Sequence, residues 1–187
     1  MRLSTPKWNE KGFLPPRLSS QPIEAFASPY TVSLVELVKC FSSTPERLKL
    51  IRGFLSYRKT LHEIGYVKGF QWLDGSFMEN IEMLEDRPPN DIDVVTFIEN
   101  SVDLSEDDQS KLDHDKLKSE FKIDSYFLEL DQTPPKQIAE LAAFWYGVWS
   151  HTRNDIWKGF LTIELAPDED IEANAVLSGL EKKREQS

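Results

Sequence analysis

The stretch that most constrains this chain is Asp91-Ile92-Asp93-Val94-Val95-Thr96-Phe97-Ile98, where two carboxylates stand one residue apart at the head of an apolar run. A run this rich in β-branched and aromatic residues reads as a buried strand. Residues i and i+2 of a strand share a face, so Asp91 and Asp93 project together while Ile92 and Val94 turn to the core. Two carboxylates that close repel, and one takes up a proton unless a cation sits between them. Mg²⁺ (or Mn²⁺) suits that position, because it takes hard oxygen ligands, commonly one or two carboxylates completed by phosphates and water.

Two further pieces extend the pattern. Upstream, Gly75-Ser76 follows the strand candidate "VKGFQWL". Gly75 permits a close backbone approach, and Ser76 offers a hydroxyl at the start of a helix expected over "SFMENIEML", whose N-terminus would cradle phosphate. Asp74 is placed to orient that turn. Downstream, Asp124 lies on the alternating strand candidate "KIDSYFLEL". A third acid on a neighbouring strand completes a cluster able to hold two metals for an in-line phosphoryl displacement.

The rest of the chain supplies a helical frame. Residues 1–29 read as an extended arm laid on the body through Trp8, Phe13, Leu14 and Phe26, and residues 30–187 as one domain. Ser28-Pro29 and Thr44-Pro45 both carry a cap-plus-proline helix start, and Gly65 suits the second helix's stop. This gives a helical pair over 30–65. A core follows over 66–165, with a polar helical connection at 105–121, an apolar helix over "PPKQIAELAAFWYGVWSH" and a last strand in "WKGFLTIEL". A final helix over 166–187 has acids first and bases last, as the helix dipole favours. Trp145, Tyr146 and Trp149 are assigned to the core, as is Cys40 on an apolar face; His62, His114, Glu79 and Glu82 are assigned to the surface. The class is α+β.

The set Gly75-Ser76, Asp91-x-Asp93 and Asp124 resembles the motifs of the polymerase-β-like nucleotidyltransferase superfamily. The likeness to a group of small bacterial nucleotidyltransferase-like proteins runs through "GFLPP", "SPYTVSLVELV", "GFQWLDGSF", "PPNDIDVVTF", "IDSYFLEL" and "WSHTRNDIWKGF", covering nearly all of residues 10–165. The resemblance implies a small mixed sheet flanked by helices. It also implies metal-dependent transfer of a nucleoside monophosphate from an NTP, in settings that include toxin–antitoxin and phage-defence systems. Asp91, Asp93 and Asp124 would be catalytic metal ligands, and Gly75 and Ser76 would contact phosphates. The fourteen residues between Ser76 and Asp91 exceed the superfamily's common spacing. The loop "WSHTRNDIWKGF" adds His151, with Arg153 and Lys158 as cations for the leaving pyrophosphate and Trp149 or Trp157 as a base-stacking surface.

Composition narrows the partners. The net charge of −10 lacks the basic footprint of a broad nucleic-acid face, so it disfavours a long RNA acceptor and leaves a protein or small-molecule acceptor, or a protein partner. No apolar stretch reaches the ~20 residues a membrane span needs. The single cysteine and the absence of an apolar leader in the first residues point to the cytoplasm. A nucleotide-sensing or antitoxin-like interaction module on the same fold is the competing expectation.

Overall fold

The computed structural model describes residues 5–18 and 27–186. Phe26, one of the arm's expected anchors, lies outside them. The fold is α+β, a five-stranded mixed sheet with helices on both faces. The strands are β1 (Tyr30–Thr31), β2 (Gly69–Asp74), β3 (Ile92–Ile98), β4 (Ile123–Glu129) and β5 (Leu161–Glu164), in the order β1-β5-β2-β3-β4. β2 runs antiparallel to both β5 and β3, whereas β1 pairs with β5, and β4 with β3, in parallel.

The helices are α1 (Leu34–Phe41), α2 (Pro45–Ile64), α3 (Ile81–Glu85), α4 (Glu106–Lys111), α5 (His114–Phe121), α6 (Pro135–Trp149) and α7 (Pro167–Glu185). α2 starts and stops where the sequence places it. Thr44 accepts a hydrogen bond from the Arg47 amide, Pro45 occupies the first turn, and Gly65 ends the helix at φ +112°, a left-handed value glycine tolerates. The first expected helix begins later than Ser28-Pro29. Tyr30 and Thr31 pair with β5 instead, and Ser33 caps α1 through a reciprocal bond with Glu36. The polar connection is two short helices, α4 and α5, each capped by its own acid or serine. Cys40 is exposed, a correction to its expected apolar setting.

Strand alternation divides the core. Ile92, Val94, Ile123 and Leu73 point to the face covered by α1, α2, α5 and α7, where Leu37, Ile51, Phe54 and Leu61 are fully buried. Each such side chain contributes about 1.5–3 kcal/mol of apolar burial. Val95, Phe97, Leu128 and Phe160 point the other way and pack with Phe70 and Trp72 against Trp145, Tyr146 and Trp149 of α6. The three acids of interest belong to this second face. The opposite edge of α6 is open, with Phe144 57% and Val148 50% exposed. No helix among the described residues is long and apolar enough to cross a membrane.

Candidate active site

Strand register brings the acids together. Asp74 at the end of β2 stands opposite Asp93, and Asp93 stands beside Asp124 on the parallel β4. Directly paired residues share a face and adjacent strands lie ~4.8 Å apart, so the three carboxylates form one row across the end of the sheet. Asp91 precedes β3 by one residue and adds its charge to the same place. Burial pushes the Asp93 carboxyl up to about 6, helped by the negative charges of Asp91 and Asp124 and opposed by Lys118 and Lys158. No hydrogen bond from the described residues reaches its carboxylate. Asp124 carries a buried oxygen, Oδ1, with no hydrogen-bond partner among the described residues.

Gly75 is glycine for a steric reason. Its φ is +80°, and a Cβ there would lie 1.7 Å from Asp93 Oδ2. Gly75→Ala should therefore lose about 1–3 kcal/mol of stability in urea denaturation from backbone strain alone. A loss under ~0.5 kcal/mol would show that the backbone relaxes out of its left-handed φ and that Asp93 also steps aside. After Gly75 the chain forms a three-residue 3-10 turn, Ser76–Met78, and then α3, not one helix from Ser76. The reason lies beneath the turn. Arg47, wholly buried on α2, donates to Phe77 O (2.7 Å) and Glu79 O (2.6 Å) and pairs with Glu82 (2.7 Å). Trp8 of the arm stacks on that guanidinium and donates to Met78 O (2.7 Å). These partners take the carbonyls a continuous helix would have used. Glu82 is thus a structural partner and not a solvated residue.

Lys158 is 3% exposed and bridges Asp74 (2.7 Å) and Glu79 (2.9 Å). It lines the cleft where a phosphate contact is expected, but its ammonium is already shared between two carboxylates beneath the turn. Burial opposes its charge, and Asp74 and Glu79 outweigh that and hold its pKa above the ordinary lysine value. Asp74 is the member that burial pushes toward protonation, up to about 7, against the pull of Lys158. Glu79 is accordingly a buried-pair residue rather than a surface one.

Two residues of the polar connection, one of them assigned to the surface, reach the acids. Lys118 on α5 donates to Asp124 Oδ2 (2.5 Å) and lies 3.5 Å from Asp91 Oδ2. His114, one helical turn earlier, places Nε2 3.4 Å from Asp124 Oδ1. The hydrogen bond to Asp124 raises the Lys118 pKa above its ordinary value. His62 is also misassigned: it lies inside, between Asp170 and the Tyr66 carbonyl.

Above the acids opens a cleft of about 990 Å³, at the upper end of ligand-site volumes. Gly75, Ser76 and Lys11 form one wall; Val148, Trp149 and the 151–156 loop form the other. Arg153 stands exposed on that loop, paired with none of the described residues. His151 shares a hydrogen bond with Ser150. Trp157 lies outside the cleft lining, under the Arg17 guanidinium. The donor set suits a hard divalent cation in kind, and the orphaned Asp124 oxygen lacks a partner of that sort. Among the described residues no three His, Cys, Asp or Glu side chains converge closely enough to chelate a metal as they stand. The Lys118 ammonium holds Asp91 and Asp124 instead.

No curated protein and no solved structure matches the chain. Residues 6–164, from the arm through the last residue of β5, match a family whose function is unknown and which contains the whole cleft. On that match over most of its length, the chain belongs to the family of unknown function DUF6932.

Proposed function

We propose that the chain is a metal-dependent nucleotidyltransferase, moving a nucleoside monophosphate from an NTP to an acceptor hydroxyl. One observation carries this reading: Asp93 and Asp124 stand level on neighbouring parallel strands, with Asp91 just ahead, on the floor of a cleft walled by Gly75 and Ser76. Asp91, Asp93 and Asp124 would hold Mg²⁺ or Mn²⁺, which when bound would neutralise phosphate charge and activate the attacking oxygen. The chain's own residues do the positioning. Ser76 offers its backbone N–H and hydroxyl, and Gly75 a close backbone approach, to phosphate oxygens beside Asp93. Arg153 faces the cleft as a free cation for the pyrophosphate. The acceptor oxygen bonds to the α-phosphorus as the bond from that phosphorus to the bridging oxygen breaks. The pyrophosphate leaves with that electron pair. Asp124, whose buried Oδ1 has no hydrogen-bond partner among the described residues, takes the acceptor's proton. The net charge of −10 favours a protein or small-molecule acceptor over a long RNA.

A second reading, a nucleotide-sensing or antitoxin-like interaction module, draws on the exposed Phe144, Val148 and Trp157 beside the cleft. Thermal unfolding with Mg²⁺ and each of the four NTPs separates the two. An NTP at 100 times its Kd should stabilise wild type by about 2.7 kcal/mol, or about 5–11 °C in Tm for a domain of this size. The shift should vanish in Asp91→Ala/Asp93→Ala, and radiolabel from the α-phosphate should move to an acceptor only with wild type. No shift with any NTP would count against the enzyme and leave the interaction module.

A further inference from the structure

α5 directs two of its basic side chains at one acid. His114 and Lys118 are four residues apart and so lie on the same helix face, which Leu117, buried beside them, holds against β4. The Lys118 ammonium is 2.5 Å from Asp124 Oδ2 and 3.5 Å from Asp91 Oδ2, so it neutralises two members of the row at once. Its side chain is nonetheless 44% exposed, with open cleft beside it. A divalent cation on those oxygens would stand ~2.0–2.1 Å from each, leaving no room for the ammonium. The two cations exclude one another by volume and by charge.

We propose that Lys118 is a tethered counter-ion: it occupies the carboxylate row in the metal-free protein and must swing out of it for a divalent cation to enter. This rests on the reading of the row as a metal site, and it assigns that site a built-in competitor that sets its metal threshold. Metal-free protein is thereby spared the repulsion of unpaired carboxylates, and the site fills only above a cation concentration that Lys118 determines.

The test is Mn²⁺ titration of the full chain by calorimetry, without nucleotide, on wild type, Lys118→Gln, Lys118→Arg and Asp93→Asn. Apparent affinity falls by the fraction of protein that is competent to bind, so releasing the competitor should tighten Mn²⁺ binding about tenfold in Lys118→Gln. Lys118→Arg keeps the charge and should stay near wild type, and Asp93→Asn should bind weakly. Metal-free Lys118→Gln should also melt below wild type. Equal or weaker binding by Lys118→Gln, with wild type binding and Asp93→Asn not, overturns the competitor and leaves the metal site standing. Binding by no protein, or undiminished binding by Asp93→Asn, overturns both.

Discussion

Arg58→Ala should destabilise the protein by about 3–5 kcal/mol, against the ~5–15 kcal/mol total of a typical domain. Arg58 is wholly buried on α2. It donates to Asp170 on α7 (2.7 and 2.9 Å), to Gln71 on β2 (2.7 Å) and to the Glu164 carbonyl on β5 (3.2 Å). The chain of bonds continues from Gln71 to Thr96, from Thr96 to the Tyr57 hydroxyl, and from Tyr57 to Ser125 beside the candidate site. Truncation leaves the Asp170 carboxylate with His62 alone and the buried Gln71 carbonyl without its donor, which is the expensive way to break an ion pair. Urea denaturation at pH 7 measures it, and a loss under ~1 kcal/mol would mean water enters to replace the guanidinium. The acid limb supplies a second readout. Burial pushes Asp170 up, but hydrogen bonds from His62 and Arg58 and their charges outweigh it, so its folded pKa lies below the ordinary carboxylate value. Stability from a depressed acid is present above its unfolded pKa of ~3.9 and is lost as pH falls through the folded value. Arg58→Ala should flatten that loss.

The parts legible in sequence are those decided locally. Thr44-Pro45 and Gly65 bound α2 because caps and a left-handed stop are properties of a few adjacent residues. Asp91-Ile92-Asp93-Val94 splits into acids on one face and fully buried apolar residues on the other because strand alternation is equally local. Long-range pairing decided the rest. Ser28-Pro29 carries the same cap-plus-proline signal as Thr44-Pro45, yet β5, about 130 residues away, recruits Tyr30 and Thr31. The Ser33/Glu36 box that does cap α1 was present in the sequence and was the better signal. The register of β2 against β3 and β5 sets Asp74 level with Asp93 and brings Lys158 beneath it, and no spacing along the chain encodes that. Lys118 is one lysine in a polar helix, and its role depends on how α5 crosses β4. The break after Ser76 needed Arg47 and Trp8, each far off in sequence, to claim three carbonyls.

Asp93→Asn should move two measurements in opposite directions, raising the stability of the metal-free protein while abolishing its response to Mg²⁺ and NTP. The folded pKa of Asp93, about 6, is above the unfolded ~3.9, so the folded state resists ionising it. For a raised acid the penalty is absent below the unfolded pKa, grows as pH climbs between ~4 and ~6, and is complete above that. Holding the carboxyl that far above its ordinary range withholds roughly 1–3 kcal/mol of stability at pH 7.5. Asparagine cannot ionise, and its amide can donate toward Asp91 or Asp124, so the mutant should recover much of that amount and lose the downward slope between pH 4 and 6. Urea midpoints at pH 5 and pH 7.5 on both proteins, without metal, read the effect directly. A mutant less stable than wild type at pH 7.5 would mean that the carboxylate is a structural acceptor and not a strained functional group. The expected gain would mark Asp93 as a charge the fold disfavours, which the proposed metal-ligand role would account for. Asp74, pushed up to about 7 beside it, already has Lys158 as a partner, so the same substitution there should destabilise. The two aspartates face each other across one pair of strands, and of the two only Asp93 has no hydrogen-bond or ion-pair partner among the described residues.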